Sequence, residues 1–407
     1  MKANMRPFGV TIPLAEAQAL IEAAVRPIDR TERVALADAS GRVLAEDIVA
    51  GADVPPFARA AMDGYAVRAA DTNGATRGTP KTLACVAKVF TGQVADVPVA
   101  AGQCIEIATG APMPRGADAV VMVEETDMGA ASDAVRVFAS VEPGQNVGRQ
   151  GADIARGSTV LRRGDVLNAS RVGALAALGI TDVNAYARPR VAILSTGNEI
   201  VDPGQPLGPG HIYDINRFTV SAVIAEHGAV PVPYRTAADT IEDLSRAVDE
   251  CLKEDVLVFS GGSSVGERDL ILDVIAAKGK VLFHGIALKP GKPTAFGIVG
   301  DRLVFGLPGY PTSCLTNAYL LVVPAVRRIA RLPPHAVRST TLPLAQKVNS
   351  VPGRHQIYTV RVVDGSVAPA FKASGDITSM SQADGYIEIP ADVDALEKGT
   401  MVEVKLF

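Results

Sequence analysis

Between Val191 and Leu307 short apolar runs repeatedly feed into loops of Gly, Ser and Thr, most of them followed by a helix-like stretch. Val191 to Leu194 runs into Ser195-Thr196-Gly197, and a helix is expected from about Asn216 to His227, closed by Gly228. Thr240-Ile-Glu-Asp243 has capping-box spacing ahead of Ile241, Leu244, Ala247, Val248, Cys251 and Leu252, which share one helical face. Val256 to Phe259 then meets Ser260-Gly261-Gly262-Ser263, followed by a helix over Leu270 to Ala277. Strands are expected over Val281 to Leu288 and Leu303 to Phe305, before the long segment Thr312 to Arg331. Such alternation admits few folds. It predicts a mostly parallel sheet covered on both faces, with ligands bound by the loops after the strand carboxyl ends.

The flanking regions have other patterns. Leu14, Ala17, Ile21 and Ala24 or Val25 recur at helical spacing until Arg26-Pro27. From about Asp53 to Pro143 short apolar runs separated by turn clusters read as a small, mostly β domain. Arg171 to Ile180 looks helical, Thr181 to Ala187 extended, and Arg188-Pro189-Arg190 a linker. Past about Thr340 the helical signal gives way to alternating segments, as in a small β-barrel or sandwich.

Lys and Arg number 40 against 44 Asp and Glu, so the net charge of −4 argues against nucleic acid or an anionic membrane as principal partner. No stretch has the length of a signal core or a membrane span. Cys85, Cys104, Cys251 and Cys314 are widely separated, which suits a reducing cytoplasm better than a disulfide or zinc framework.

Four loops share a chemistry: Ser195-Thr-Gly-Asn-Glu199, Ser260-Gly-Gly-Ser-Ser264, Lys289-Pro-Gly-Lys292 and Gly306-Leu-Pro-Gly-Tyr310. Gly lets backbone N–H groups approach an anion, and Ser and Thr hydroxyls add donors, so together they describe a phosphate or oxyanion cradle. Ser195, Thr196, Gly197, Gly261, Gly262, Ser263, Ser264, Pro308 and Gly309 are the candidate binding residues of these loops. Lys289 supplies positive charge; Lys292 reads equally as a ligand contact or a solvated lysine. Glu199, Asp214, Glu267 and Asp269 fall just past strand ends or helix starts, where a carboxylate beside a bound anion calls for a bridging Mg²⁺. Asp214 and Asp269 read alternatively as helix caps.

These residues resemble the MoeA and gephyrin E-domain family over nearly the whole chain. The likeness rests on Ala61-Met-Asp-Gly-Tyr-Ala66, Ala108-Thr-Gly-Ala-Pro112, Gly151-Ala-Asp153, Ser195-Thr-Gly-Asn-Glu199, Ile212-Tyr-Asp-Ile-Asn216, Gly261 to Glu267 with Asp269, Lys289-Pro-Gly-Lys-Pro293 and Gly306-Leu-Pro-Gly309, in family order. The resemblance implies a multidomain chain of α/β plus β character: a MogA-like three-layer α/β domain with small β domains and an elongated N-terminal region. The implied boundaries are 1–52 together with 144–187 for the elongated domain, 53–143 for the small β domain, 188–331 for the MogA-like domain and 332–407 for a C-terminal β-barrel.

It further implies a homodimeric molybdopterin molybdenumtransferase that converts molybdate and adenylated molybdopterin, supplied by a MogA-type adenylyltransferase, into molybdenum cofactor and AMP, with Mg²⁺. By motif, Glu199, Asp239, Asp269 and Lys289 would come from one subunit and Asp63, Thr109 and Asp153 from its partner. Asp63, Glu199 and Asp269 would handle the metal, and Lys289 would stabilise charge as the phosphoanhydride breaks.

The chain also departs from the family pattern. It has Gly285 where a basic residue is common, Tyr310 where Asn is, Ser263 in the glycine loop, Ser374-Gly-Asp-Ile-Thr-Ser379 in place of a more apolar string, and Asp384 where Asn is frequent. These changes leave open a non-catalytic paralogue that delivers molybdopterin or the finished cofactor, and a homologue that uses tungstate. If a strand ran unbroken from Val281 to Lys289, positions 285 and 289 would share a face, and Gly285 would mark a lost positive charge.

Overall fold

The computed structural model describes residues 11–128, 133–237, 240–261 and 270–407, arranged in two compact units. One is built mainly from residues 44–184, the other from residues 185–407 with the first helix.

The first unit centres on a six-stranded sheet. Its strands are β1 (Gly64–Val67), β2 (Lys81–Val89), β3 (Gln103–Ile107), β4 (Ala119–Met122), β5 (Thr126–Met128) and β6 (Ala134–Val137), in the order β4-β1-β3-β2-β6-β5. All pairs are antiparallel except β2 with β3. Alternation along β1 sends Tyr65 and Val67 into one buried cluster and Ala66 into another, so both faces are covered. Gly64 is required where β1 enters the sheet, because a Cβ there would collide with the carbonyl oxygen of Val121. The helix read from the sequence near Arg171 to Ile180 spans Ala169–Ala177, its N-terminus capped by Asn168, whose side chain accepts from the Arg171 N–H.

The second unit contains the expected α/β sheet, with two differences. Strands β7 (Arg190–Ser195), β8 (Val230–Pro233), β9 (Val256–Ser260), β10 (Lys280–His284), β11 (Ala295–Val299) and β12 (Arg302–Leu307) run in the order β8-β7-β9-β12-β11-β10. The four strands from β8 to β12 are parallel, but β11 and β10 continue the sheet antiparallel. Strands β8 and β11 were not anticipated from sequence, and β10 stops at His284 instead of continuing to Leu288. The reason lies at Gly285, whose φ of +103° turns the chain out of the strand. Its N–H donates to Thr294 O and its carbonyl accepts from the Ile12 N–H.

Side chains alternate across this sheet as a three-layer fold requires. Val191, Ile193, Val256, Val258, Leu303 and Phe305 face a core closed by helices Asn216–Glu226 and Val323–Ile329. Ala192, Leu194, Leu257, Phe259 and Val304 face the opposite core, closed by helices Ile241–Cys251 and Leu270–Lys278. Thr240 caps the first of these by accepting from the Asp243 N–H. Helix Leu14–Ala24, grouped above with residues 144–187, buries Ala17 and Ile21 in the first of these two cores.

The chain ends in a sheet of β13 (Ser339–Pro343), β14 (His355–Val363), β15 (Ser366–Pro369), β16 (Gly385–Ile389) and β17 (Met401–Leu406). The two-residue strand Leu288–Lys289 joins its edge, parallel to β14.

Candidate active-site clefts

The carboxyl ends of β7, β9 and β12 lie side by side, with Ser195 in register with Ser260 and Ser260 with Leu307. Backbone bonds tie their loops together: the Thr196 N–H donates to Ser260 O and the Gly261 N–H to Leu307 O. Gly261 has a φ of +98°, and a Cβ on it would strike the Thr196 carbonyl, so only Gly admits this approach. Above the three ends opens a cleft of about 810 Å³ whose lining includes Ser195, Thr196, Glu199, Gly261, Pro308 and Gly309. These candidates, more than a hundred residues apart in sequence at the extremes, therefore meet. Gly197 sits beside them with a φ of +138°, and a Cβ on it would strike the Glu199 carboxylate.

Other candidates stand elsewhere. Lys289 is half-buried in the short strand paired with Gln356, and of the Lys289 to Pro293 turn it is Pro293 that lines the cleft. Asp239, Gly262, Ser263, Ser264 and Asp269 lie outside the described residues, as does Glu267.

The floor holds Ser195 together with Asn216 and Asp214, two polar groups that the sequence did not mark as binding residues. Asn216 donates from Nδ2 to the Gly309 carbonyl at 2.8 Å, leaving its buried Oδ1 without a hydrogen-bond partner. Ser195 Oγ and Asp214 Oδ2 are likewise buried without one. Asp214 Oδ1 accepts from the Arg217 N–H at the start of helix Asn216–Glu226, and its other oxygen lies 3.5 Å from the Arg217 guanidinium. The helix-cap reading of Asp214 is thus the one its contacts match. Among the described lining residues there are two carboxylates and one His, but no Lys or Arg. An anion entering such a cleft needs a cation with it. Glu199, exposed and acceptor-only, fits a hard cation that keeps part of its water shell, and no three acidic, His or Cys groups gather into a closed metal cage among the described residues.

Cys314, just past the Gly309 loop, is fully buried in the core, and burial pushes its thiol pKa up, so it behaves as a small apolar residue.

The unit of residues 44–184 carries its own, smaller cleft of about 210 Å³, lined by Asp63, Lys88, Phe90 and Glu106 among others. The Thr109 N–H and hydroxyl both donate to Asp63 Oδ1, at 2.7 and 3.0 Å. These bonds, the backbone one first, hold the Asp63 carboxyl below its ordinary range and keep it ionised. Lys88 pairs with Glu106 and lies 5.2 Å from the Phe90 ring centre. Asp153 is exposed, its N–H bonded to Val54 O. Asp53, which the motifs did not single out, accepts from the Arg156 N–H and from Gln150 and so pins the loop carrying Asp153.

A doubly wound sheet with glycine-lined loops at the ends of its parallel strands defines a ligand-binding α/β protein. Residues 12–179 match the MoeA N-terminal region (domain I and II), 192–328 a probable molybdopterin binding domain, and 341–407 the MoeA C-terminal region (domain IV). Over 392 residues the chain is 34% identical to molybdopterin molybdenumtransferase 2 of Mycobacterium tuberculosis H37Rv, covering 94% of this chain and 95% of that one. It is 35% identical to the molybdopterin molybdenumtransferase of Haemophilus influenzae, over 81% of this chain and 82% of that one. The crystal structure of a molybdopterin biosynthesis MoeA protein from Pyrococcus horikoshii superposes with a TM-score of 0.85 at 38% identity, covering 98% of this chain and 99% of that one. The chain belongs to the MoeA family. Among the described residues no helix is long and apolar enough to cross a membrane.

Proposed function

We propose that this chain is a molybdopterin molybdenumtransferase of molybdenum cofactor biosynthesis, converting molybdate and adenylated molybdopterin into molybdenum cofactor and AMP in the cytoplasm. The observation that carries the reading is the convergence of Ser195, Thr196, Glu199, Gly261, Pro308 and Gly309 on one cleft, in a chain whose relatives bear that enzyme name. The exposed Glu199 carboxylate in the cleft lining supports a requirement for Mg²⁺, which when bound would neutralise phosphate charge and stabilise the departing AMP. Glu199 would hold the cation from this unit. Asp63, kept ionised and oriented by Thr109, is by motif the carboxylate that a partner subunit would supply. Asp269 is assigned a similar role by motif alone. Lys289, on the strand beside Gln356 and outside the cleft lining, is assigned by motif alone to balance charge at the breaking phosphoanhydride. The adenylated substrate would come from a MogA-type adenylyltransferase, and the working form would be a homodimer.

The purified chain should release AMP from adenylated molybdopterin only when Mg²⁺ and an oxyanion are both present. Equal release in excess chelator would remove the metal from the proposal. Lys289→Ala should slow release by roughly a hundredfold, the scale for one preorganised charge at a developing anion. Tight substrate binding without any AMP release would favour a delivery protein, and faster release with tungstate than with molybdate would change the named substrate.

A further inference from the structure

Two of the chain's departures from its family meet in space. Tyr310 lies 67% exposed at the mouth of the larger cleft, which it lines together with Gly375. A Cβ on Gly375 would come 3.7 Å from Cδ1 of the tyrosine ring. The segment Ser374 to Ser379 is fastened to the same corner: the Thr312 N–H donates to Ser374 O, and the Thr312 hydroxyl to Asp376 O. Tyr310 itself starts helix Pro311–Asn317, its carbonyl accepting from the Cys314 N–H at 2.8 Å. The ring therefore stands on a backbone fixed by β12, the helix and the Ser374 segment. An aromatic side chain held in this way binds with little loss of conformational freedom.

Leu207, Ile212 and Tyr213 also line this cleft, and each is exposed. Its rim is thus apolar and aromatic, while beneath it Ser195 Oγ and Asn216 Oδ1 are buried without hydrogen-bond partners, and Asp214 Oδ2 faces the Arg217 guanidinium. The Asn216 amide oxygen accepts, and the Ser195 hydroxyl can accept as well as donate, so amino and ring N–H groups are matching partners for both. A ligand that is flat, with N–H donors on its edge, satisfies both surfaces.

We infer that Tyr310, backed by the Gly375 segment, is a stacking platform for a planar N-heteroaromatic ring of the substrate, with ring donors directed to the floor acceptors. The inference rests on the reading of this cleft as the substrate site. Adenine and pterin share the chemistry, and binding to the full-length chain separates them: AMP, ribose 5-phosphate and 6-hydroxymethylpterin are titrated against wild type, Tyr310→Ala and Tyr310→Phe.

Tyr310→Ala should weaken one of AMP or the pterin by about tenfold, within the range for loss of one ring–base stack, with Tyr310→Phe near wild type and ribose 5-phosphate unaffected. Whichever ring loses affinity is the one stacked. Unchanged binding of both rings by Tyr310→Ala overturns the platform while leaving the cleft as substrate site. An equal loss for ribose 5-phosphate overturns it too, because the ring was then only supporting the loop. Wild type that binds neither AMP nor the pterin removes the cleft reading, and the platform with it.

Discussion

Gly285 shows how one backbone angle reverses a residue's meaning. A basic side chain there would share a face with Lys289 only if the strand ran on, but β10 ends at His284 and Gly285 turns with a φ of +103°. A Cβ would also lie 3.2 Å from Cγ2 of Thr11. The missing-charge idea is therefore replaced by a conformational one. Gly285→Ala should lower stability by about 1–3 kcal/mol, the cost of a left-handed backbone on a residue with a side chain. Urea unfolding checks this, and a variant as stable as wild type would show that the turn tolerates a side chain. At the same scale Ser195, Glu199 and Gly261 were legible because Gly, Ser and carboxylate after an apolar run are tied to strand-end loops by local chemistry. Asn216 stood in a recognised string, yet its free Oδ1 depends on which carbonyl its amide meets.

Elements were read well where the hydrophobic period was long or a cap was present, as in Asn216–Glu226 and Ile241–Cys251. Strand β11 was missed because it is a short apolar run after a Pro-Gly turn, which sequence alone does not distinguish from a connection. In the C-terminal sheet, cross-strand pairing creates an ion cluster that no motif announces. Glu388 on β16 lies 3.0 Å from His355 on β14 and 2.6 Å from Lys405 on β17. The bond from His355, then Lys405, holds its pKa at about 2 although partial burial opposes this. A depressed carboxyl stabilises the fold above its unfolded pKa, near 4.5, and that stability is lost as pH falls from there towards about 2. Glu388→Gln should cost on the order of 2 kcal/mol at neutral pH, allowing for its partial exposure, and flatten the stability loss below pH ~4.5. Matching acid-unfolding curves for the two proteins would deny the cluster that role.

At the scale of the whole molecule, carboxylates assigned to one reaction are divided between two compact units, Asp63 in one and Glu199 in the other. If the working enzyme is a dimer that completes each site from two chains, Asp63→Asn and Glu199→Gln are each inactive alone, but a mixture recovers up to about a quarter of wild-type AMP release through heterodimers with one intact site. No recovery after demonstrated subunit exchange would assign both carboxylates to one chain. Periodicity, turn chemistry and motif order are local properties of the chain, and they were enough to establish the α/β alternation, the glycine-rich strand ends and the family. Tertiary structure alone decided that Tyr310 meets Gly375, that Lys289 pairs with the C-terminal sheet, and that the described lining of the larger cleft carries Glu199 but no Lys or Arg. Those outcomes depend on sheet order and strand register, which bring together residues far apart in the chain and leave no trace in either neighbourhood.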